Sequence, residues 1–300
     1  WQEELTEQLR DAVLAMPAPP RIKPTVRPAN DDPETLVLLL SDVHLGAQWH
    51  DGDGHPQSLG ITQYQWSMLE QVTRKLIMLE QAMHPVRKIV VLALGDLIEG
   101  SGMRPSQAYQ VALTAPEQAA AMGSLVSELL TQLLELADVE VHFVAGNHDR
   151  IDPMPGLAGL GVLNSIGWSW IIGEMVRLAM QQAIAAGRLT VVNHRTPTAV
   201  TTIEGWQVVM EHGSSLRAGS SYGGIPAGPI RKAADAHLAD IGPFLLYAMG
   251  HFHNANVLHL HGRSRVIMNG SFPAGTDYEL TALHKAPRVP QQWLLSIHER

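Results

Sequence analysis

Five short polar segments, each directly after an apolar run, carry the side chains best suited to chemistry in this 300-residue chain. The segments are Ser41-Asp42-Val43-His44, Gly95-Asp96, Gly146-Asn147-His148-Asp149, Glu211-His212-Gly213 and Gly250-His251-Phe252-His253. The apolar runs before them are typical of buried strands, and carboxylate, imidazole and amide groups bind divalent metal ions. Since open α/β sheets bind ligands at the carboxyl ends of their strands, the five segments together predict a metal site at one such edge.

The spacing inside two segments supports joint binding. Asp42 and His44 are two residues apart, as are His251 and His253, and on a straight strand such pairs point to one face. A single Asp-x-His is more often a turn or a satisfied polar pair, and Asn147 alone could cap a helix. The prediction therefore depends on all five segments occurring in one chain.

The composition limits the kinds of metal ligand and binding partner that the chain is expected to have. The chain has no cysteine, so disulfides and thiolate ligands are excluded, and we expect a reducing, cytoplasmic location. No apolar run approaches the roughly 20 residues that a membrane span requires. The net charge of −8 disfavours a strongly basic groove for duplex DNA, although two bound divalent cations would reverse the sign locally.

The order of elements predicts the fold class. Strands expected at residues 36–40, 89–94 and 139–145 alternate with helices, whereas the sequence after residue 189 is rich in strands. This order predicts an α/β protein with two β-sheets packed face to face and helices outside, a four-layer α/β/β/α sandwich. Residues 189–192, 199–203 and 206–210 are expected to be neighbouring strands of the second sheet, and residues 292–297 the last strand.

The first 34 residues are expected to be separate from the main domain, residues 35–300. Apolar residues recur at helical spacing in residues 3–16, and the prolines of residues 17–33 exclude a helix or a central strand there. The N-terminal helix packs either on the main domain or on a second copy of the chain, so a homo-oligomer formed through it stays open.

The five segments resemble the complete motif set of the calcineurin-like metallophosphoesterases. The resemblance covers roughly residues 36–270, and Asn147-His148-Asp149 with Gly250-His251-Phe252-His253 is its most diagnostic part. The motifs, including Asn269-Gly270-Ser271-Phe272, are most similar to the Mre11/SbcD-type nuclease branch and to phosphoesterases encoded by phages and prophages.

The resemblance implies two divalent metal ions, with manganese as the first expectation and iron, zinc, cobalt or nickel as alternatives. It implies these ligands: Asp42, His44 and His253 for one ion, Asn147, His212 and His251 for the other, and Asp96 bridging them. A bridging hydroxide would be the nucleophile. His148 would protonate the leaving oxygen or stabilise the phosphoryl group, with Asp149 orienting it, although a turn or helix cap is the alternative for Asp149.

The function expected from this set is hydrolysis of phosphodiesters, at nucleic acid ends, including single-stranded DNA, or in nucleotides and related compounds. A phosphomonoesterase or a broad-specificity esterase of small phosphates is the alternative on the same site. A catalytically silent protein-binding scaffold is more remote, because such a chain should have lost ligands. Arg104 and Arg217, in polar loops near the segments, are expected to bind substrate.

Overall fold

The computed structural model describes residues 34–50, 56–103, 105–151, 167–216, 225–273 and 289–299. The predicted N-terminal helix and the linker up to residue 33 lie outside the described residues, as do Arg104 and Arg217. The predictions for those residues, including an oligomer formed through the helix and the domain boundary near residue 34, therefore stay predictions.

The first sheet has five strands, which are β1 (Glu34–Leu40), β4 (Val86–Ala93), β5 (Asp138–Phe143), β6 (Leu189–Asn193) and β12 (Leu294–Ile297). Their order is β12-β1-β4-β5-β6. Strands β1, β4, β5 and β6 are parallel to one another, and the edge strand β12 is antiparallel to β1. Every residue of β1 is buried, as expected for a strand that is covered on both faces.

The second sheet also has five strands, which are β7 (Thr198–Ile203), β8 (Trp206–Glu211), β9 (Leu246–Met249), β10 (Asn256–His259) and β11 (Arg265–Met268). Their order is β10-β11-β9-β8-β7, with β8, β9 and β11 parallel. Two further strands, β2 (Trp49–His50) and β3 (Pro56–Gln57), pair with each other.

The predicted place of residues 189–192 in the second sheet was wrong. β6 pairs parallel with β5 in the first sheet, because a strand that follows a helical crossover returns parallel to its own sheet. The hairpin of β7 and β8 begins the second sheet instead, through a turn in which Glu204 and Gly205 have φ of 48° and 74°.

The helices are α1 (Leu59–Met83), α2 (Ala115–Leu134), α3 (Trp168–Ala179), α4 (Gln181–Ala185) and α5 (Ala227–Ile241), with a short 3-10 helix at Pro105–Tyr109. The amphipathic spacing of α2 explains its burial, and its start is set by Pro116 and by Glu117, which accepts the Thr114 backbone N–H at 2.8 Å. Among the described residues, no helix is both long and apolar enough to cross a membrane.

Three apolar layers separate these elements. Helices α1 to α4 pack on one face of the first sheet, where Trp66, Met122 and Ile172 meet its strands. The two sheets meet through residues such as Leu39 and Met210. Helix α5 covers the outer face of the second sheet. The predicted four-layer α/β/β/α sandwich is confirmed, and it brings the carboxyl ends of the parallel strands of both sheets to one edge.

Candidate metal centre

All five polar segments lie at that edge, at or just beyond the ends of β1, β4, β5, β8 and β9. Backbone hydrogen bonds join them directly. The Asp42 N–H donates to the Gly95 carbonyl at 3.1 Å, and the Gly250 N–H donates to the His212 carbonyl at 3.1 Å. The structure therefore brings together side chains that are up to about two hundred residues apart in the sequence.

The backbone of the site is left-handed at several predicted ligand positions, and the sequence did not predict this conformation. The residues concerned are Asp42 (φ 51°), His44 (49°), Asp96 (50°), His251 (71°) and His253 (52°). The expectation that each i, i+2 pair points one way because it lies on a straight strand was wrong, since β1 ends at Leu40 and β9 at Met249. Each such residue costs on the order of 1–3 kcal/mol, and strain of this kind is concentrated at functional sites.

The first group of ligand atoms belongs to Asp42, His44 and His253, whose atoms lie within 4.8 Å of one another. The two Nε2 atoms of His44 and His253 are 3.1 Å apart, and His253 Nε2 is 3.4 Å from Asp42 Oδ1. His44 Nδ1 lies 2.8 Å from Glu99 Oε2, so in the neutral ring Nδ1 donates and Nε2 presents a lone pair. This donor set fits a divalent cation.

The second group belongs to Asp96, His212 and His251. His212 Nε2 lies 2.9 Å from Asp96 Oδ2 and 3.0 Å from Asn147 Oδ1. His212 Nδ1 donates to the Leu94 carbonyl at 2.7 Å, which again leaves Nε2 facing the site. The donors are nitrogen and oxygen atoms, as Mn, Fe, Zn, Co and Ni accept.

A third group, His44, Asp96 and His148, overlaps the other two. Because His44 belongs to the first group and Asp96 to the second, the three groups form one continuous centre. Distance alone therefore does not separate His148 from the ligands.

A chain of hydrogen bonds through Ser41, Asn269 and Gln292 holds the carboxylate of Asp42 in place. The Ser41 hydroxyl donates to Asp42 Oδ2 at 2.5 Å, and Asn269 Nδ2 donates to Ser41 Oγ at 3.0 Å. Gln292, just before β12, accepts the Ser41 N–H at 3.0 Å and the Asn269 side-chain N–H at 2.6 Å. Gln292 carried no signal in the sequence.

Glu99 and Gln107 contact His148, and the sequence assigned no role to either residue. His148 Nδ1 donates to the Glu99 carbonyl at 2.8 Å and lies 3.4 Å from Glu99 Oε2. Gln107 Nε2 donates to Glu99 Oε1 at 2.9 Å and lies 3.0 Å from His148 Nδ1. The His148 ring meets His44 edge to face, 4.6 Å between centroids. Glu99 thus contacts both a predicted ligand and the predicted catalytic histidine.

Asp149 lies beneath the site with a carboxylate that serves the backbone. Its Oδ2 accepts the Gly146 N–H at 2.5 Å, the Asp96 N–H at 3.3 Å and the Ser169 hydroxyl at 2.7 Å. Its carbonyl accepts the Trp168 N–H at the start of α3. Among the described residues, the side chains within hydrogen-bonding distance of His148 Nδ1 are Glu99 and Gln107, so the contacts of Asp149 match the turn and helix-cap alternative.

The glycines before Asp96 and Asn147 allow two strand ends to touch. A Cβ on Gly146 would lie 2.1 Å from Asp96 Oδ1, and a Cβ on Gly95 would lie 2.5 Å from the Gly146 nitrogen. Gly95 also has φ of +88°, which favours glycine. Both glycines are therefore required for Asp96 to reach the centre.

Three buried carboxylates dominate the electrostatics of the site. Asp42, Asp96 and Glu99 are at most 1% exposed. Burial raises the pKa of each, but hydrogen bonds and charges from neighbouring histidines outweigh it and hold all three pKa values below the usual range. Three ionised carboxylates that are buried away from water need positive charge beside them.

The histidines respond in opposite ways. Burial lowers the pKa of His148 and His212, but Asp96 and its neighbours outweigh burial and raise both to about 9. Burial and the charge of His212 lower the pKa of His251 to about 3. Without a metal, protons on His148 and His212 balance the carboxylates, and divalent cations bound beside those carboxylates would replace that charge.

The comparisons with known proteins point to one family. The sequence profile of the calcineurin-like phosphoesterases matches residues 35–255, and no curated protein sequence matches the chain. The matched range contains all five polar segments.

Several solved structures are similar at low identity. A predicted phosphoesterase from Streptococcus pneumoniae TIGR4 is 13% identical, with 90% of this chain and 85% of that chain covered and a TM-score of 0.36. Vps29 from Entamoeba histolytica complexed with zinc is 15% identical, with 87% and 86% covered and a TM-score of 0.38. A dimetal phosphatase from Danio rerio is 11% identical, with 90% and 100% covered and a TM-score of 0.39.

Proposed function

The chain belongs to the calcineurin-like phosphoesterases, and on this basis we propose that it is a metal-dependent hydrolase of phosphate esters. The observation that carries the proposal is the pair of ligand groups at one sheet edge. Asp42, His44 and His253 form one, and Asp96, His212 and His251 form the other, each with its ligand atoms within 4.8 Å. Six convergent donors without cysteine suit two divalent cations better than one.

The proposed metal ligands are the seven residues expected from the sequence: Asp42, His44, Asp96, Asn147, His212, His251 and His253. Asp96 is the proposed bridge, because it is part of the second group and also lies close to His44. Manganese remains the first expectation for both positions. When bound, two such cations supply Lewis acidity toward the phosphoryl oxygens and an activated water.

His148 is the proposed general acid. The Glu99 carbonyl holds its Nδ1, so Nε2 is the atom that can deliver a proton to a leaving oxygen. The negative charge of Asp96 and Glu99 outweighs burial and raises the pKa of His148 to about 9, and cations bound at the proposed ligand Asp96 would lower it toward neutrality. A group titrating near the working pH is an efficient proton donor.

Asp149 is proposed to act through the backbone. Its carboxylate holds the N–H groups of Gly146 and Asp96, which lie next to the proposed ligand Asn147 and at the proposed bridge. It is therefore a positioning residue in this scheme, and Glu99 replaces it as the carboxylate that orients His148.

The proposed substrate is a phosphodiester, at a nucleic acid end, in a nucleotide or in a related small molecule. The resemblance of the motifs to a nuclease branch supports nucleic acid, whereas the net charge of −8 supports smaller substrates. Arg104 and Arg217 stay proposed substrate-binding residues, and a cytoplasmic location stays a prediction.

Turnover of three substrates by the manganese-loaded chain tests the proposal. The substrates are a chromogenic phosphodiester, the matching phosphomonoester and end-labelled single-stranded DNA, each with and without chelator. We expect the diester to be hydrolysed faster than the monoester, and all activity to disappear with chelator. Activity that survives complete metal removal would contradict the proposal.

The three substrates also separate the alternatives. Chelator-sensitive cleavage of DNA would place the protein among nucleases, and diester turnover with intact DNA would indicate a small-molecule phosphodiesterase. Preference for the monoester would establish the phosphomonoesterase. Inactivity on all three with two metals bound per chain would favour the protein-binding scaffold.

A further inference from the structure

An apolar groove lies beside α1, on the helix side of the first sheet. Its volume is about 810 Å³. Leu38, Leu294 and Phe272 are among the residues at its base, and Met68 and Val72 of α1 line one side. Because a helix layer covers this face of β4, β5 and β6, the groove marks the place at the β12 edge where the described layer stops.

The side of α1 that faces the groove is apolar at helical spacing. Tyr64, Met68, Val72 and Leu76 follow one another at intervals of four residues, which places them on one stripe. They are 66%, 40%, 47% and 45% exposed, whereas Trp66 and Ile77 on the inner side of the helix are buried. A stripe of this length beside an apolar groove has the shape that receives an amphipathic helix.

Residues 1–16 of the same chain match this surface. Their apolar side chains, Leu5, Leu9, Val13 and Met16, have the spacing of one helix face. The described chain begins at Glu34, whose N–H donates to the Pro85 carbonyl at 3.0 Å, two residues beyond the end of α1 at Met83. Residues 1–33 therefore join the described fold at Glu34, beside one end of the stripe.

The linker is long enough for the segment to reach the rest of the stripe. Residues 17–33 span up to about 55 Å when extended, at roughly 3.3 Å per residue. Helix α1 is about 37 Å long, at 1.5 Å per residue. A proline-rich sequence of this kind favours extended conformations and disfavours a helix.

We propose that residues 1–16 fold back as an amphipathic helix and dock into this groove of their own chain, completing the helix layer over β12. The inference does not depend on the proposed enzymatic function. It commits to an intramolecular contact, so a second copy of the chain or another segment in the groove is a competing outcome.

Thiol reactivity tests the contact cleanly, because the chain has no cysteine of its own. Leu76→Cys places a thiol on the stripe, and Met78→Cys places one on the same helix outside the groove lining. The two native side chains have similar exposure, 45% and 53%. In the full chain we expect a maleimide to modify Leu76→Cys about ten times more slowly than Met78→Cys, which corresponds to a docked state populated in roughly nine molecules of ten.

Substitutions in the docking segment identify the occupant. Adding Leu9→Asp with Val13→Asp should raise the rate at Leu76→Cys to that of Met78→Cys. Arg10→Asp changes the net charge by the same amount as the two Asp substitutions together, but on the polar side of the segment. It should leave Leu76→Cys protected from the maleimide. Equal rates at the two cysteines in the full chain would overturn the proposal, as would protection that survives the Leu9 and Val13 substitutions. Protection that disappears on dilution, together with a dimeric mass by light scattering, would overturn it in favour of a second copy.

Discussion

The candidate metal centre can be compared with a second group of histidines and a carboxylate, which we call the β5 cluster and which is formed by Lys88, Glu140, His142 and His194. Glu140 and His142 are two residues apart within β5, so they share a face of a straight strand. Glu140 Oε1 lies 2.6 Å from His142 Nε2, and His142 Nδ1 lies 3.0 Å from His194 Nε2. The two imidazoles stack, with ring planes 9° apart.

The β5 cluster therefore has the i, i+2 spacing that the sequence associates with metal binding, yet it is not built as a metal site. Among the described residues, the groups of three close ligand atoms all belong to the metal centre. In the β5 cluster each ring nitrogen of His142 already faces a polar partner. At the centre, left-handed turns beyond the strand ends aim nitrogens of different segments at a common space. The two groups therefore differ in whether their ligand atoms point into one common space, and not in the spacing of their residues along a strand.

The two places also differ in the charge they accept. Carboxylates raise the pKa of His148 and His212 to about 9, so the centre attracts positive charge. Burial and the nearby His142 lower the pKa of His194 to about 4, so a proton is disfavoured there. Four variants test whether the two groups differ in this way.

The largest effect is expected from Asp96→Asn. Asp96 contributes to two of the ligand groups, and the loss of its charge removes the proposed bridge. Turnover should fall to the level seen with chelator, and bound metal per chain should decrease in elemental analysis. Glu140→Gln, the matched change in the β5 cluster, should leave turnover and metal content as they were. An active Asp96→Asn variant would refute the bridging role.

His148→Asn should come next. Loss of a general acid costs about 10²–10⁴-fold in turnover, and because His148 is not a proposed ligand, the metal content should stay the same. His194→Asn is the control from the β5 cluster and should keep full activity. A loss of metal together with activity would make His148 a ligand instead.

Glu99→Gln should have an intermediate effect. Glu99 Oε2 accepts the His44 Nδ1 proton at 2.8 Å, and removal of such a partner lowers metal affinity by about 10–100-fold. A titration of the metal-free chain with manganese measures the change. Glu140→Gln is again the control, since its carboxylate also holds a histidine. Unchanged affinity would mean that His44 is oriented by packing alone.

The smallest effect concerns stability in acid. His194 has an ordinary pKa of 6.5 and a folded-state pKa of about 4, so only the unfolded chain takes up this proton as the pH falls between those values. Stability from this group is therefore present above pH 6.5 and is lost toward pH 4. His194→Gln should reduce the loss of unfolding free energy in that window by at most about 1 kcal/mol, because the group is partly exposed. The thermal midpoint, measured as a function of pH, should therefore fall less steeply.

Glu140 adds a loss at lower pH. Its hydrogen bond to His142 lowers its pKa to about 2, against burial, which raises it. Its contribution is present above pH 4.5 and disappears toward pH 2, so the two losses follow one another. His261→Gln, at an exposed position, is the control for the His194 experiment. An identical acid profile in His194→Gln would show that protonation of His194 does not couple to folding.

Much of this protein follows from local sequence. Apolar runs followed by polar segments predicted the strands, the order of strands and helices predicted the four layers, and residue types predicted a nitrogen- and oxygen-rich metal centre. These properties are readable because each depends on neighbours in the chain. A strand pattern, a turn glycine or an Asp-x-His motif spans only a few residues.

The tertiary structure alone decided how the site is held. Gln292 braces Ser41 across 251 positions of sequence, Gln107 supports Glu99 and His148 from a short 3-10 helix, and Asp149 serves the backbone. Tertiary contacts also place β6 in the first sheet and put five of the proposed ligands in the left-handed region of φ. A contact between distant segments leaves no periodic trace in either segment, because it depends on how the sheets stack and where each strand ends.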